Sequence, residues 1–199
     1  GADIVVHSAT KYINGHSDVV LGVLATNDQA IYERLQFLQN AIGAIPSPFD
    51  AWLAHRGVKT LHLRVRQASL TAQKIAEFLA ANDSVVAVNY PGLPTHESYE
   101  VVKKQHRDSL GGGMISFRIK GGAAAASKFS SSTRLFTLAE SLGGIESLLE
   151  VPAVMTHGGI PKEQREASGV YDDLIRLSIG IEDADDLLED IKQALAAAN

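Results

Sequence analysis

Hydrophobic residues along the chain change their period several times, and each change marks an expected element. Ile4 to Val6 and Val19 to Ala25 are short β-branched or apolar runs of the kind found in buried strands. The polar stretch His7 to Asp18 between them reads as a loop. Asn27 can cap a helix on which Ile31, Leu35, Leu38 and Ile42 recur at helical spacing, with Gly43, Pro46 and Pro48 as its stop signal. A longer helical stretch runs from about Ala51 to Ala81, with Leu70, Ile75, Phe78 and Leu79 as its buried face and a domain junction near Leu61 to Arg66. Val85 to Val88 and Met114 to Ile119 read as strands. Between them, Pro91 to Gly113 carries a Pro-Gly pair and three consecutive glycines, so it is loop-rich with room for one short helix. Ala123 to Ser131 predicts a helix, Arg134 to Thr137 an extended piece, and Ala139 to Gly144 a loop.

Alternation returns at Leu174 to Ile179, which sets Ile175, Leu177 and Ile179 on one face and Leu174, Arg176 and Ser178 on the other. Arg176 therefore projects away from an apolar surface. The last helix is signalled by Asp183 as N-cap, by Asp185 and Asp186 in its first turn, and by Leu187, Leu188, Ile191 and Leu195. Strands alternating with helices make this an α/β protein.

Composition narrows the function classes. The chain has 199 residues, 45% of them hydrophobic, enough for one or two units with real cores. Its net charge is −5 and it holds no basic block, which argues against nucleic acid as a partner. It has no cysteine, so disulfides and thiolate metal sites are excluded. No apolar run approaches the ~20 residues that a bilayer span requires. The Asn82-Asp83-Ser84 sequon stands without a secretory signal, which makes the cytoplasm the expected location. The seven histidines show no close metal-ligand spacing. Gly1 leads straight into an apolar run without an initiator methionine, as expected of the later part of a larger protein.

The densest polar motif is His7-Ser8-Ala9-Thr10-Lys11-Tyr12-Ile13-Asn14-Gly15-His16-Ser17-Asp18. A lysine flanked by hydroxyls and set between two apolar strands sits where desolvation would favour the neutral, nucleophilic amine. Ser8 and Thr10, two apart, would face one phosphate if the backbone were extended. The stretch resembles the lysine signature of the cystathionine synthase and lyase family, the Cys/Met metabolism enzymes that depend on pyridoxal 5′-phosphate (PLP). Two further segments carry the same resemblance. Ala139-Glu140-Ser141-Leu142-Gly143-Gly144 with Pro152-Ala153-Val154-Met155-Thr156-His157 is similar to the family's substrate-side loop, and Leu174 to Asp183 is similar to the segment whose arginine clamps the substrate α-carboxylate. A planar guanidinium fork suits that task because it donates two parallel hydrogen bonds.

The resemblance implies an aspartate-aminotransferase-like (fold type I) α/β architecture, with residues 1–62 ending the large PLP-binding domain and 63–199 forming the small C-terminal domain. It implies Lys11 as the catalytic, cofactor-carrying lysine, Ser8 and Thr10 at the cofactor phosphate, and Glu140, Ser141, Thr156 and Arg176 at the substrate. It is nearest to the γ-lyase branch around Arg134 to Gly159, where the reaction is γ-elimination of cystathionine to cysteine, 2-oxobutanoate and ammonia in trans-sulfuration. Synthase-type γ-replacement is the alternative. The family is expected as a homotetramer, a dimer of dimers. Its acid at the pyridine nitrogen, its ring-stacking tyrosine and most phosphate ligands precede the position of Gly1, and two phosphate ligands come from a neighbouring subunit. A non-catalytic partner or paralogue is the reading from a different class. Ser8-Ala9-Thr10-Lys11 also fits the Ser-x-x-Lys pattern of serine β-lactamases, but the companion motifs are missing: Val19 follows Ser17-Asp18 and Leu61 follows Lys59-Thr60.

Overall fold

The first apolar run becomes strand β1 (Val5–Ser8), antiparallel to β2 (Gly22–Ala25), with Val6 opposite Leu24 and Ser8 opposite Gly22. The computed structural model describes residues 1–199 and divides into two compact units, Gly1–His62 and Leu63–Asn199. Within the first unit the expectation of buried strands fails, since Val6 is 69% and Leu24 55% exposed. The reason is that β1 and β2 form only a two-stranded ladder, which by itself has no second layer to bury against. Helix α1 (Gln29–Ile42) starts one residue later than Asn27 predicts: the Asp28 carboxylate is the cap, accepting from the Ile31 N–H at 2.9 Å. Gly43 ends it at φ 74°, a left-handed conformation that only glycine adopts without strain. Helix α2 (Pro48–Val58) is capped by the Ser47 hydroxyl and carries Pro48 in its first turn. The single helical stretch expected over residues 51–81 is broken at Lys59-Thr60, and α3 (Leu61–Ala80) continues it.

The second unit is built on a five-stranded sheet. Its strands are β3 (Val85–Asn89), β4 (Met114–Ile119), β5 (Thr137–Leu138), β6 (Leu148–Glu150) and β7 (Leu174–Ser178), in the spatial order β3-β4-β7-β6-β5. All pairs are antiparallel except β5 with β6. The intervening helices are α4 (Tyr99–Gln105), α5 (Gly122–Ser132), α6 (Lys162–Ala167) and α7 (Ala184–Ala198). The core contains Ile115, Phe117 and Ile119 of β4 and Ile175 and Leu177 of β7, together with Ile75 and Leu79 of α3, Phe129 of α5, and Leu187 and Ile191 of α7. Phe117 meets Phe129 edge-on, with ring centres 5.5 Å apart. On α3 the buried side runs through Ala68, Ala72, Ile75, Ala76 and Leu79, while Leu70 is 43% exposed, against expectation. Two positions from Ala72 is about 200° of helix rotation, which turns Leu70 to the opposite side.

Two polar anchors fix the periphery. Arg118 donates to both carboxylate oxygens of Asp173 at 2.7 and 3.0 Å, and this pairing holds the guanidinium above its usual pKa. Asp190 on α7 is buried and accepts from the backbone N–H groups of Arg134, Leu135 and Phe136 at 2.8, 2.8 and 3.1 Å. It therefore takes over hydrogen bonding for the stretch that enters β5. Replacing Asp190 by Ala leaves those donors unmet, and we expect a loss of about 3 kcal/mol in a chemical-denaturation measurement.

Candidate active site

The seven residues singled out from the sequence fall into two sets, one in each unit. Ser8, Thr10 and Lys11 lie in the first. β1 ends at Ser8, and Ala9–Ile13 forms a single wide turn in which Lys11 departs from helical geometry, with φ −90° and ψ −132°. The turn is closed by Asn14 N–H on the Ala9 carbonyl and Gly15 N–H on the Lys11 carbonyl, at 3.0 and 2.8 Å. The backbone is thus not extended through Thr10, and the two hydroxyls are not related by strand geometry. Thr10 is instead stapled to the residue before β2: its N–H donates to the Leu21 carbonyl at 3.2 Å and its Oγ1 accepts from the Leu21 N–H at 3.1 Å. A hydroxyl used as an acceptor keeps its proton free to donate. The Ser8 side chain makes no cap to the turn and is exposed.

The polar residues after Lys11 hold the turn from behind. Asn14 is buried and donates to Asp18 Oδ1 at 2.6 Å, and His16 Nδ1 lies 2.7 Å from the Asn14 carbonyl. Gly57 of α2 packs on that carbonyl so closely that a Cβ there would collide with it. The half-buried Lys11 therefore sits on a loop fixed at both ends.

In the second unit, Arg176 and Glu150 are register partners across β7 and β6. Their side chains pair, Nη1 to Oε1, at 2.9 Å, while Nη2 donates to the Ser141 carbonyl at 2.6 Å. Thr156 donates to the same Glu150 oxygen at 3.2 Å. Arg176 and Thr156 thus meet at Glu150, and Ser141 joins them through its carbonyl on Arg176. Glu140 is exposed and takes no part in this cluster. The Glu150–Arg176 contact is single, and it leaves Glu150 Oε2 and Arg176 Nε buried without partners. Each such orphan costs on the order of 1–3 kcal/mol.

The loop bearing Ser141 is tied to the exit of β7. Gly143 N–H donates to Ser178 Oγ at 2.9 Å, and Ser147 gives its N–H and its hydroxyl to the two oxygens of Glu182 at 2.6 and 2.8 Å. Ser147 Oγ in turn accepts from the Gly180 N–H at 2.9 Å. Ser141 itself is held at φ 87°, a strained backbone for any residue with a Cβ. Sequence reading missed Glu150, Ser147, Ser178 and Glu182. The one available signal was a lone acid in Leu148-Leu149-Glu150-Val151, since an acid within an apolar run is rarely buried unpaired.

Comparison with known proteins shows the family of the chain. Residues 1–196 match the family described as Cys/Met metabolism PLP-dependent enzyme. The chain belongs to that family. It is 85% identical over all 199 residues to cystathionine gamma-lyase of Saccharomyces cerevisiae, covering 50% of that protein. The crystal structure of cystathionine gamma-lyase from yeast superposes with a TM-score of 0.97 at 85% identity, covering 100% of this chain and 51% of that one. Cystathionine gamma synthase from Xanthomonas oryzae pv. oryzae, solved in complex with cystathionine, gives a TM-score of 0.94 at 48% identity, with coverage of 100% and 51%. The chain spans about half the length of the curated relatives it matches. Its fold is the fold type I architecture of this family's lyases and synthases. No helix is long and apolar enough to cross a membrane.

The strain at Ser141 can be measured. Glycine accepts a positive φ freely, so Ser141→Gly is expected to raise unfolding free energy by about 1 kcal/mol. If the loop serves substrate, the same change lowers turnover.

Proposed function

We propose that this chain supplies the lysine, the carboxylate-binding arginine and the specificity loop of a PLP-dependent lyase that converts cystathionine and water to cysteine, 2-oxobutanoate and ammonia. The observation that carries this reading is Arg176 on the central strand β7, its guanidinium held between Glu150 and the strained Ser141 loop, in a chain that belongs to the Cys/Met metabolism family. Residues 1–62 finish the large PLP-binding domain and residues 63–199 make the small C-terminal domain. The parent enzyme is a cytoplasmic homotetramer built from dimers.

The residues of the turn fit the cofactor. Lys11 would carry it, and the Ser8 and Thr10 hydroxyls, one uncommitted to the turn and one with a proton to spare, would hold its phosphate. When bound, PLP supplies an electron sink for the carbanion at Cα. Arg176 binds the substrate α-carboxylate and so fixes the direction of the Cα–H bond. Lys11 Nζ would take the proton from Cα, pass it on and, neutral again, take one from Cβ; the electron pair left at Cβ then expels sulfur from Cγ, which leaves as the thiolate of cysteine. Ser141 keeps Arg176 in place through its carbonyl, and Thr156 supports Glu150 behind it. Glu140, exposed and outside the cluster, meets the distal ammonium of cystathionine.

Synthase-type γ-replacement is the second reading, supported by the similarity to the Xanthomonas oryzae synthase. The two separate in one assay: cystathionine supplied alone yields cysteine and 2-oxobutanoate for a lyase, whereas a synthase makes cystathionine from cysteine and an O-substituted homoserine.

In the PLP-loaded enzyme, Lys11→Ala should abolish the visible absorbance of the lysine-linked cofactor and cut cystathionine turnover by on the order of 10²–10⁴-fold. Unchanged absorbance in the variant would refute the assignment of Lys11. Glu140→Val should lower the preference for cystathionine over methionine by about tenfold, because methionine has no distal ammonium to lose. Equal handling of both substrates before and after the change would remove Glu140 from the site.

A further inference from the structure

Glu150 is an unusual choice for its position. It ends a three-residue strand whose neighbours Leu148, Leu149 and Val151 are apolar, and it is itself 1% exposed. A buried carboxylate needs a strong reason, since desolvating it costs more than a single contact returns. If its task were stability alone, a two-fold fork onto the guanidinium would satisfy both groups. The observed contact is single, Oε1 to Nη1, and it leaves the Arg176 Nε–H and the second Glu150 oxygen unmet. What this geometry does achieve is different. Glu150 and the Ser141 carbonyl each hold one terminal nitrogen, which fixes the plane of the guanidinium while other N–H groups of the fork stay unspent. Thr156 donates to the same Oε1 and so limits rotation of the carboxylate.

We propose that Glu150 is a positioning residue for Arg176: it sets the plane of the guanidinium and offsets its charge, so that the site favours a carboxylate borne by an amino acid over a simple anion. The inference rests on the reading of Arg176 as the α-carboxylate site. Without Glu150 the arginine would present an uncompensated charge to any small anion. With it, a ligand must gain from correct placement of its other groups as well. Glu150 touches no substrate in this scheme and acts only through Arg176.

The test is competitive inhibition of the holoenzyme by acetate at fixed ionic strength, alongside KM and kcat for cystathionine. Removing one charge about 4 Å away is worth about fivefold even in water-like surroundings. Glu150→Gln should therefore lower the acetate inhibition constant by about fivefold or more, and reduce kcat without raising KM. Glu150→Asp, which returns the charge on a shorter arm, should restore the acetate constant while kcat stays low. An acetate constant unchanged in a folded Glu150→Gln enzyme overturns the proposal, because a merely structural acid would alter yield and unfolding but not anion selectivity. Should Glu150→Gln fail to fold, Glu150→Asp decides, since it keeps the charge and moves only the carboxylate: a lower kcat with KM and the acetate constant unchanged supports the proposal, an unchanged kcat overturns it. Arg176→Lys separates the two readings. If it leaves KM and acetate inhibition untouched, Arg176 is not the carboxylate site and the proposal falls with it. If it weakens both, only the role of Glu150 is left to the other variants.

Discussion

The alternation of β7 at the centre of the five-stranded sheet is the constraint on which the second unit depends. Ile175, Leu177 and Ile179 are fully buried among side chains of α3, α5 and α7, so the strand cannot slip by one residue without exposing all three. With that register locked, Arg176 faces the other way and meets Ser116 on one neighbour and Glu150 on the other. Hydrophobic burial on one face thus decides where the charged chemistry on the other face stands. The same strand sends out Ser178 and Glu182, which anchor the Ser141 loop. One register therefore sets the arginine, its acid and the strained loop together.

Much of this frame was legible in the residues. Period-two alternation over Leu174 to Ile179 gave both the buried and the projecting face. The acidic first turn and apolar stripe of α7 gave its start and its core side. Long motifs were legible for a different reason: the stretch around Lys11 identified itself by resemblance and was read as a loop, while the form of its turn, which is not the extended backbone that would align Ser8 with Thr10, was not legible. The wide turn Ala9–Ile13 depends on backbone hydrogen bonds to Asn14 and Gly15, which no side-chain pattern announces.

The missed elements share a physical cause. β6 has only three residues, too few to display a period, and it ends in an acid that pattern reading assigns to the surface. α6 is one and a half turns, held by Arg165 reaching the Val170 carbonyl and Asp172 at 2.8 and 2.6 Å. The cap of α1 moved by one residue because Asn27 and Asp28 are both good caps, and tertiary placement chose the second. Apolar β1 and β2 suggested burial, yet an apolar run reports only that a surface favours leaving water, not what covers it.

Asp190 adds a temporal dimension to the fold. Its carboxylate closes hydrogen bonds to residues 54 to 56 positions earlier in the chain. A ribosome delivers the stretch Arg134–Phe136 long before it delivers α7, so that stretch emerges with its backbone donors facing water. The segment leading into β5 and the serine loop is therefore among the last parts of the unit to be fixed in place.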